Sequence, residues 1–131
     1  MFKYSEINYQ NYYITFKFNS KKIAIINCSL EIVKIILNGQ TFDLIPSPIL
    51  IPYEIKKIER EKFAEIKFVK FDYIPTIEGK QIINEIADKF KNFNRIIIIV
   101  PEKCANAYKE LNFSWNIRIC SYSDFNEFEI F

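Results

Sequence analysis

The chain has 131 residues, room for one domain, with 50% hydrophobic and 26% charged residues, so it carries enough apolar side chains for a real core. It has no histidine and only two glycines, which excludes imidazole-based catalysis, classical histidine-bearing zinc sites and glycine-rich phosphate loops. Eighteen basic residues face sixteen acidic ones, and a net charge of +2 is small for a non-specific nucleic-acid binder, although a local basic patch stays open.

The first half reads as β. Tyr12 to Phe18 alternates and is rich in aromatic and β-branched residues, so it predicts a strand. Asn19 to Lys22 is a turn, and Ile23 to Cys28 is a second strand, apolar on both faces near its middle. Glu31 to Leu37 is a third. Asn38-Gly39 follows it, a strong hairpin signal because both residues tolerate positive φ, and Thr41 to Ile45 is the returning strand. Pro46, Pro48 and Pro52 then mark an edge or a loop. Tyr53 to Lys62 fits either a short exposed helix or one arm of a hairpin turning at Arg60-Glu61-Lys62. The convincing strand Phe63 to Tyr73 favours the hairpin.

The second half alternates α and β. Ile77, Ile83, Ile86, Ala87, Phe90 and Phe93 fall on one helical face, and Thr76 is placed to cap its N-terminus. Arg95 to Val100 is a short apolar strand of the kind buried on both sides of a sheet. Pro101 permits a helix start, Glu102 to Leu111 fits a second helix, and Ile117 to Tyr122 is a last strand. The expected fold is α/β (α+β): a single domain, residues 1–131, with one mixed β-sheet. An antiparallel N-terminal meander is followed by a β-α-β-α-β parallel tail.

Cys28, Cys104 and Cys120 are far apart and form no C-x-x-C pair; Cys28 and Cys120, in apolar strand-like runs, read as small buried thiols, and a reducing, cytoplasmic setting is expected. The first residues show no apolar leader, and no apolar run is long enough to cross a bilayer; a soluble protein with no membrane partner follows.

The residues that point to chemistry are Asp43 and the triplet Glu65-Ile66-Lys67. The triplet is expected on the strand just before the long helix. Period-two geometry would then put Glu65 and Lys67 on one side of that strand. Two carboxylates on neighbouring strands can hold Mg²⁺, which prefers hard oxygen ligands, and a lysine beside them can orient an attacking water and offset phosphate charge.

This order of residues and elements resembles the PD-(D/E)XK nuclease superfamily over roughly Asp43 to Tyr122. The resemblance implies an Mg²⁺-dependent endonuclease, or a degenerate relative, acting on DNA or RNA. Asp43 and Glu65 would be metal ligands, Lys67 the catalytic lysine, and Gln81 the polar residue that some members add from the following helix. Asp43 follows Phe42 where the family has proline, and strands stand where the family usually begins with a helix. The chain holds two further Glu-x-Lys triplets, Glu54-Ile55-Lys56 and Glu78-Gly79-Lys80. A solvated strand face of alternating charge is the competing reading of all three.

A second function class stays open: a non-catalytic binding or assembly module, either a homodimer or a partner-recruiting protein. The aromatic surplus of 17% supports it. Phe2, Tyr4, Tyr9, Tyr12 and Tyr13 serve core packing or stacking on unpaired bases, and Trp115 closes the core or forms a contact hot spot; packing is the expectation for both. Residues 123–131 alternate acids with Phe125, Phe128, Ile130 and Phe131. They fit a partner-recruiting tail, a final edge strand or a dimer contact.

Overall fold

The computed structural model describes residues 3–126 and 130; the side chains of residues 60–63, 67 and 68 lie outside that description. Its centre is a five-stranded mixed sheet in the order β1-β2-β3-β8-β9. The antiparallel meander is β1 (Tyr4–Gln10), β2 (Tyr13–Phe18) and β3 (Lys21–Asn27). Tight turns set its register. Asn19 and Ser20 both take positive φ, 49° and 67°, which matches the right-handed twist of the flanking strands.

After β3 the chain leaves the sheet for two hairpins, each a two-stranded sheet of its own. The first joins β4 (Val33–Leu37) to β5 (Gln40–Leu44) through Asn38 and Gly39, with φ of 52° and 79°. The second joins β6 (Tyr53–Phe63) to β7 (Ile66–Pro75). The chain then returns through α1 (Ile77–Asp88) to β8 (Arg95–Ile99), and through α2 (Glu102–Lys109) to β9 (Ile117–Cys120). Both returning strands are parallel: β8 lies along β3, and β9 along β8. The strand before α1 is therefore not the parallel neighbour of β8; that place belongs to β3.

Period two sorts the core into layers. Ala24, Ile26, Ile96 and Ile98 face the helices and pack with Ile83, Ile86, Cys104, Ala105 and Tyr108. Ile23, Ile25, Ile97 and Ile99 face the opposite way, with Val33, Ile35, Leu37 and Leu44 of the β4–β5 hairpin. Both faces of β3 and β8 are covered, which is why β8 reads as an unbroken isoleucine run. The buried Asn27 amide, at the end of β3, donates to the carbonyls of Glu31 and Leu44 at 2.8 Å each, while its oxygen accepts from the Ser29 amide at 3.0 Å. One satisfied side chain thus ties the sheet to both ends of the hairpin layer.

Thr76 caps α1 as expected, its hydroxyl accepting the Gly79 amide at 2.8 Å. Tyr108 of α2 is fully buried beside this cap. Its hydroxyl donates to the Pro52 carbonyl and accepts the Thr76 amide at 3.1 Å. A Cβ at Gly79 would overlap that hydroxyl and come within 2.9 Å of the Pro52 carbonyl, so only glycine lets α1 approach α2 and the lead-in to β6.

Several expectations shift. β1 has no counterpart among the predicted elements; it is an edge strand with a bulge between Ser5 and Asn8 and little buried surface. The β6–β7 ribbon turns at Ala64 and Glu65, not at Arg60-Glu61-Lys62, with Ala64 at φ 55° and Phe63 opposite Ile66. Ile77, the first residue of α1, leaves the predicted apolar face and is 82% exposed, while Gly79 in the same turn is buried. Trp115 is 74% exposed and does not close the core. Tyr4 and Tyr9 do pack, on Phe16 at 5.3 Å and Phe42 at 5.6 Å between ring centroids. Phe2 lies outside the described residues. In the C-terminal stretch, Phe125 and Asp124 close a turn on the Ser121 carbonyl, and Ile130 is buried with the hairpin layer, so at that residue the tail packs on its own core. Residues 127–129 and 131 lie outside the description.

Candidate functional site

The four residues singled out from the sequence occupy separate places. Asp43 is on β5, opposite Lys34, and its carboxylate is 4.0 Å from the Lys34 ammonium on an exposed face. Glu65 is not on a strand: it occupies the exposed turn at the tip of the β6–β7 ribbon. Lys67 follows on β7, opposite Lys62, with its side chain outside the description. Gln81 is on the exposed side of α1. Asp43 and Glu65 therefore belong to two different hairpins, Asp43 on a strand and Glu65 in a turn, and not to neighbouring strands of one sheet. Among the described residues no three Asp, Glu or Cys side chains are grouped to hold a metal ion. The described structure does not assemble the converging hard oxygens that Mg²⁺ needs.

Two of the thiols are held away from their reactive form. All three cysteines are buried and outside any disulfide. Burial pushes the Cys28 thiol up to about 12 and the Cys104 thiol up to about 11, away from the thiolate form that reacts. Asp124 moves the other way, lowered first by its hydrogen bond from Lys109 at 3.2 Å and then by one from Ser121; it is a surface ion pair.

What the structure does assemble is a partly apolar, solvent-exposed face on the ribbon. Tyr53, Ile55, Lys57 and Glu59 of β6 stand opposite Pro75, Tyr73, Phe71 and Val69 of β7, and all eight share one face. At the base, Tyr53 and Tyr73 meet edge to face at 5.3 Å, and the Lys103 ammonium of α2 lies 5.8 Å from the Tyr73 ring centroid. Farther out the face is open, with Ile55 60%, Phe71 57% and Val69 41% exposed. The reverse face carries Glu54, Lys56, Lys70 and Asp72 together with the half-buried Ile58 and Ile74, with Lys70 and Asp72 paired at 3.3 Å. Between β7 and α2 runs an open groove of about 680 Å³, walled by residues 70–75 on one side and by Lys103, Asn106 and Glu110 on the other.

Sequence reasoning passes over this face. Its signal is the alternation Val69, Phe71, Tyr73 opposite Ile55, but its exposure depends on nothing else folding over the ribbon. A smaller cavity of about 200 Å³ lies between Tyr12, Tyr13, Ser47 and the end of α1 at Lys89 and Phe90. No protein-family model matches the chain, and neither does any curated protein or solved structure. Among the described residues no helix is long and apolar enough to cross a membrane.

Proposed function

We propose that the chain is a non-catalytic binding and assembly module whose contact element is the β6–β7 ribbon. One observation carries this reading: two long strands leave the covered core with Ile55, Val69 and Phe71 turned to solvent on one face, beside Lys57 and Glu59. A two-stranded ribbon is marginal by itself in water, and a contiguous apolar face gains most when a partner covers it. An intracellular, cytoplasmic setting belongs to the same reading and is supported by three buried cysteines outside any disulfide.

The test compares affinity capture by wild type and by Ile55→Ser/Phe71→Ser. Leu30→Ser/Ile36→Ser serves as a control, since these two residues are exposed outside the ribbon. Partners retained by wild type and by the control, but lost by the ribbon variant, are expected; equal recovery by all three overturns the reading. Labelled DNA and RNA are incubated in parallel with Mg²⁺ or Mn²⁺ and wild type or Glu65→Ala. Metal-dependent cleavage by wild type that the substitution removes would replace this reading with the nuclease one.

A further inference from the structure

We infer that the ribbon's partner is a second copy of this chain, joined edge to edge through β7 in an antiparallel pair about a two-fold axis at Phe71. This rests on the ribbon being the contact element. It adds the occupant, the edge and the register.

The edge follows from the contrast between the two arms. β6 presents Glu54, Lys56, Lys57 and Glu59 along its length, and charge is a common way to discourage pairing at an open edge. β7 runs Val69-Lys70-Phe71-Asp72-Tyr73-Ile74, richer in aromatic and β-branched residues, and its outer side has no ladder partner among the described residues. The groove beside it is open to solvent along residues 70–75, with α2 as its far wall.

The register follows from charge. Antiparallel pairing centred on Phe71 sets Lys70 opposite Asp72 of the second copy, and Asp72 opposite its Lys70. Shifting the axis to Lys70 would place two lysines face to face, and shifting it to Asp72 would place two aspartates so. Like charges directly opposite on a sheet are destabilising, and a two-fold interface applies each match or mismatch twice. On the other face the same register sets Phe71 against Phe71 and Val69 against Tyr73. The three exposed or half-exposed residues of each copy then merge into one apolar stripe, and the Lys103 side chain stays at its margin over Tyr73. Two marginal ribbons become a four-stranded sheet, the size at which a sheet with an apolar face gains independent stability.

Charge-swapped chains test this on the full protein. Wild type, Lys70→Asp and Asp72→Lys are each run in sedimentation equilibrium over a concentration series, then the two variants are mixed in equal amounts. Both substituted side chains reach solvent, and circular dichroism with urea melts verifies that each variant folds. Wild type is expected to dimerise. Each variant alone should dimerise at least about tenfold more weakly, because the pairing becomes aspartate against aspartate or lysine against lysine. The mixture should recover a dimer containing one chain of each kind. In it the introduced aspartate of one chain meets the introduced lysine of the other, and the native Asp72 of the first meets the native Lys70 of the second. A wild type that stays monomeric at every concentration overturns the inference, and so do single variants that dimerise as well as wild type. Monomeric wild type together with ribbon-dependent capture of other proteins would remove the second copy and keep the ribbon as contact element. Capture insensitive to Ile55→Ser/Phe71→Ser would remove that reading separately.

Discussion

The sheet strand β8 and the ribbon strand β7 are both rich in apolar residues, yet they live in opposite surroundings. Ile96 to Ile99 of β8 are all buried, with helices on one side and the β4–β5 hairpin on the other. Ile66, Val69 and Phe71 of β7 are exposed, and among the described residues the strand is paired on one side only. The difference is one of neighbours, not of composition. β8 has two strands and two covering layers, while β7 has one strand and, near its end, one helix. Apolar surface already covered stabilises the monomer; apolar surface left open favours contact with something else.

The widest separation between the two regions should come from cutting the core. Ile98→Ala removes buried methylenes from the helix-facing side of β8 and leaves a cavity, at an expected cost of about 4 kcal/mol in urea denaturation. A loss below about 1 kcal/mol would mean that this side of the sheet repacks freely. Next is the junction that anchors the ribbon's base to the core. Gly79→Ala drives a methyl group into the Tyr108 hydroxyl and the Pro52 carbonyl, and about 3 kcal/mol is expected. Tyr108→Phe tests the same junction more gently. It leaves the Pro52 carbonyl and the Thr76 amide without their buried partner, for about 2 kcal/mol. If Gly79→Ala proved neutral, the close approach of α1, α2 and residue 52 would be wrong.

Legibility in the sequence follows the same division. The isoleucine run of β8, the Asn38-Gly39 turn and the Thr76 cap are readable because each is a local signal with one physical meaning. The edge strand β1 is not, since an edge with a bulge near its start has no clean alternation. The ribbon's turn is misplaced by sequence reasoning because Arg60-Glu61-Lys62 carries the polarity of a loop. Charge is equally at home on an exposed ribbon, and the positive φ falls on Ala64, a residue that advertises no turn. For the candidate site, the sequence supplies Asp43, Glu65, Lys67 and Gln81 in a suggestive order. Whether two strands are neighbours is a long-range property, and here β5 pairs with β4, and β7 with β6. The exposure of Phe71 is hidden for the same reason: nothing within the strand records what fails to cover it.

Alkaline pH sharpens the contrast through the buried thiols. Cys28 has an ordinary value of 9 when exposed and is held near 12 by burial in the folded protein. The unfolded chain therefore gives up this proton before the folded one does. Below pH 9 the thiol is neutral in both states and the full stability is present. Between pH 9 and about 12 unfolding releases a proton, so stability falls as pH rises. Cys104, held near 11 by burial, acts in the same direction. Urea melts at about pH 8 and about pH 10.5, values bracketing the exposed thiol's titration, should show a drop for wild type that is smaller in Cys28→Ala. Equal drops in the two proteins would place Cys28 in contact with water.

The smallest expected effect is the most telling for the comparison, because it uses the residue type of the largest one. Ile55→Ala removes the same atoms as Ile98→Ala, but from a side chain that is 60% exposed on the ribbon. Little of its surface leaves water when the monomer folds, and no enclosed cavity can form behind it. At low protein concentration the cost should stay below about 1 kcal/mol, with urea melts matching wild type in slope. Hydrogen exchange gives the spatial half of the test. Amides of β3 and β8 should exchange only with global unfolding, whereas those of the outer ribbon should open locally at much lower free energy. If a second copy pairs with β7, at high concentration the outer β7 amides should slow in wild type and remain fast in Lys70→Asp. A cost for Ile55→Ala approaching that of Ile98→Ala would mean that the ribbon is folded into the core as tightly as β8, and the distinction between the two strands would disappear.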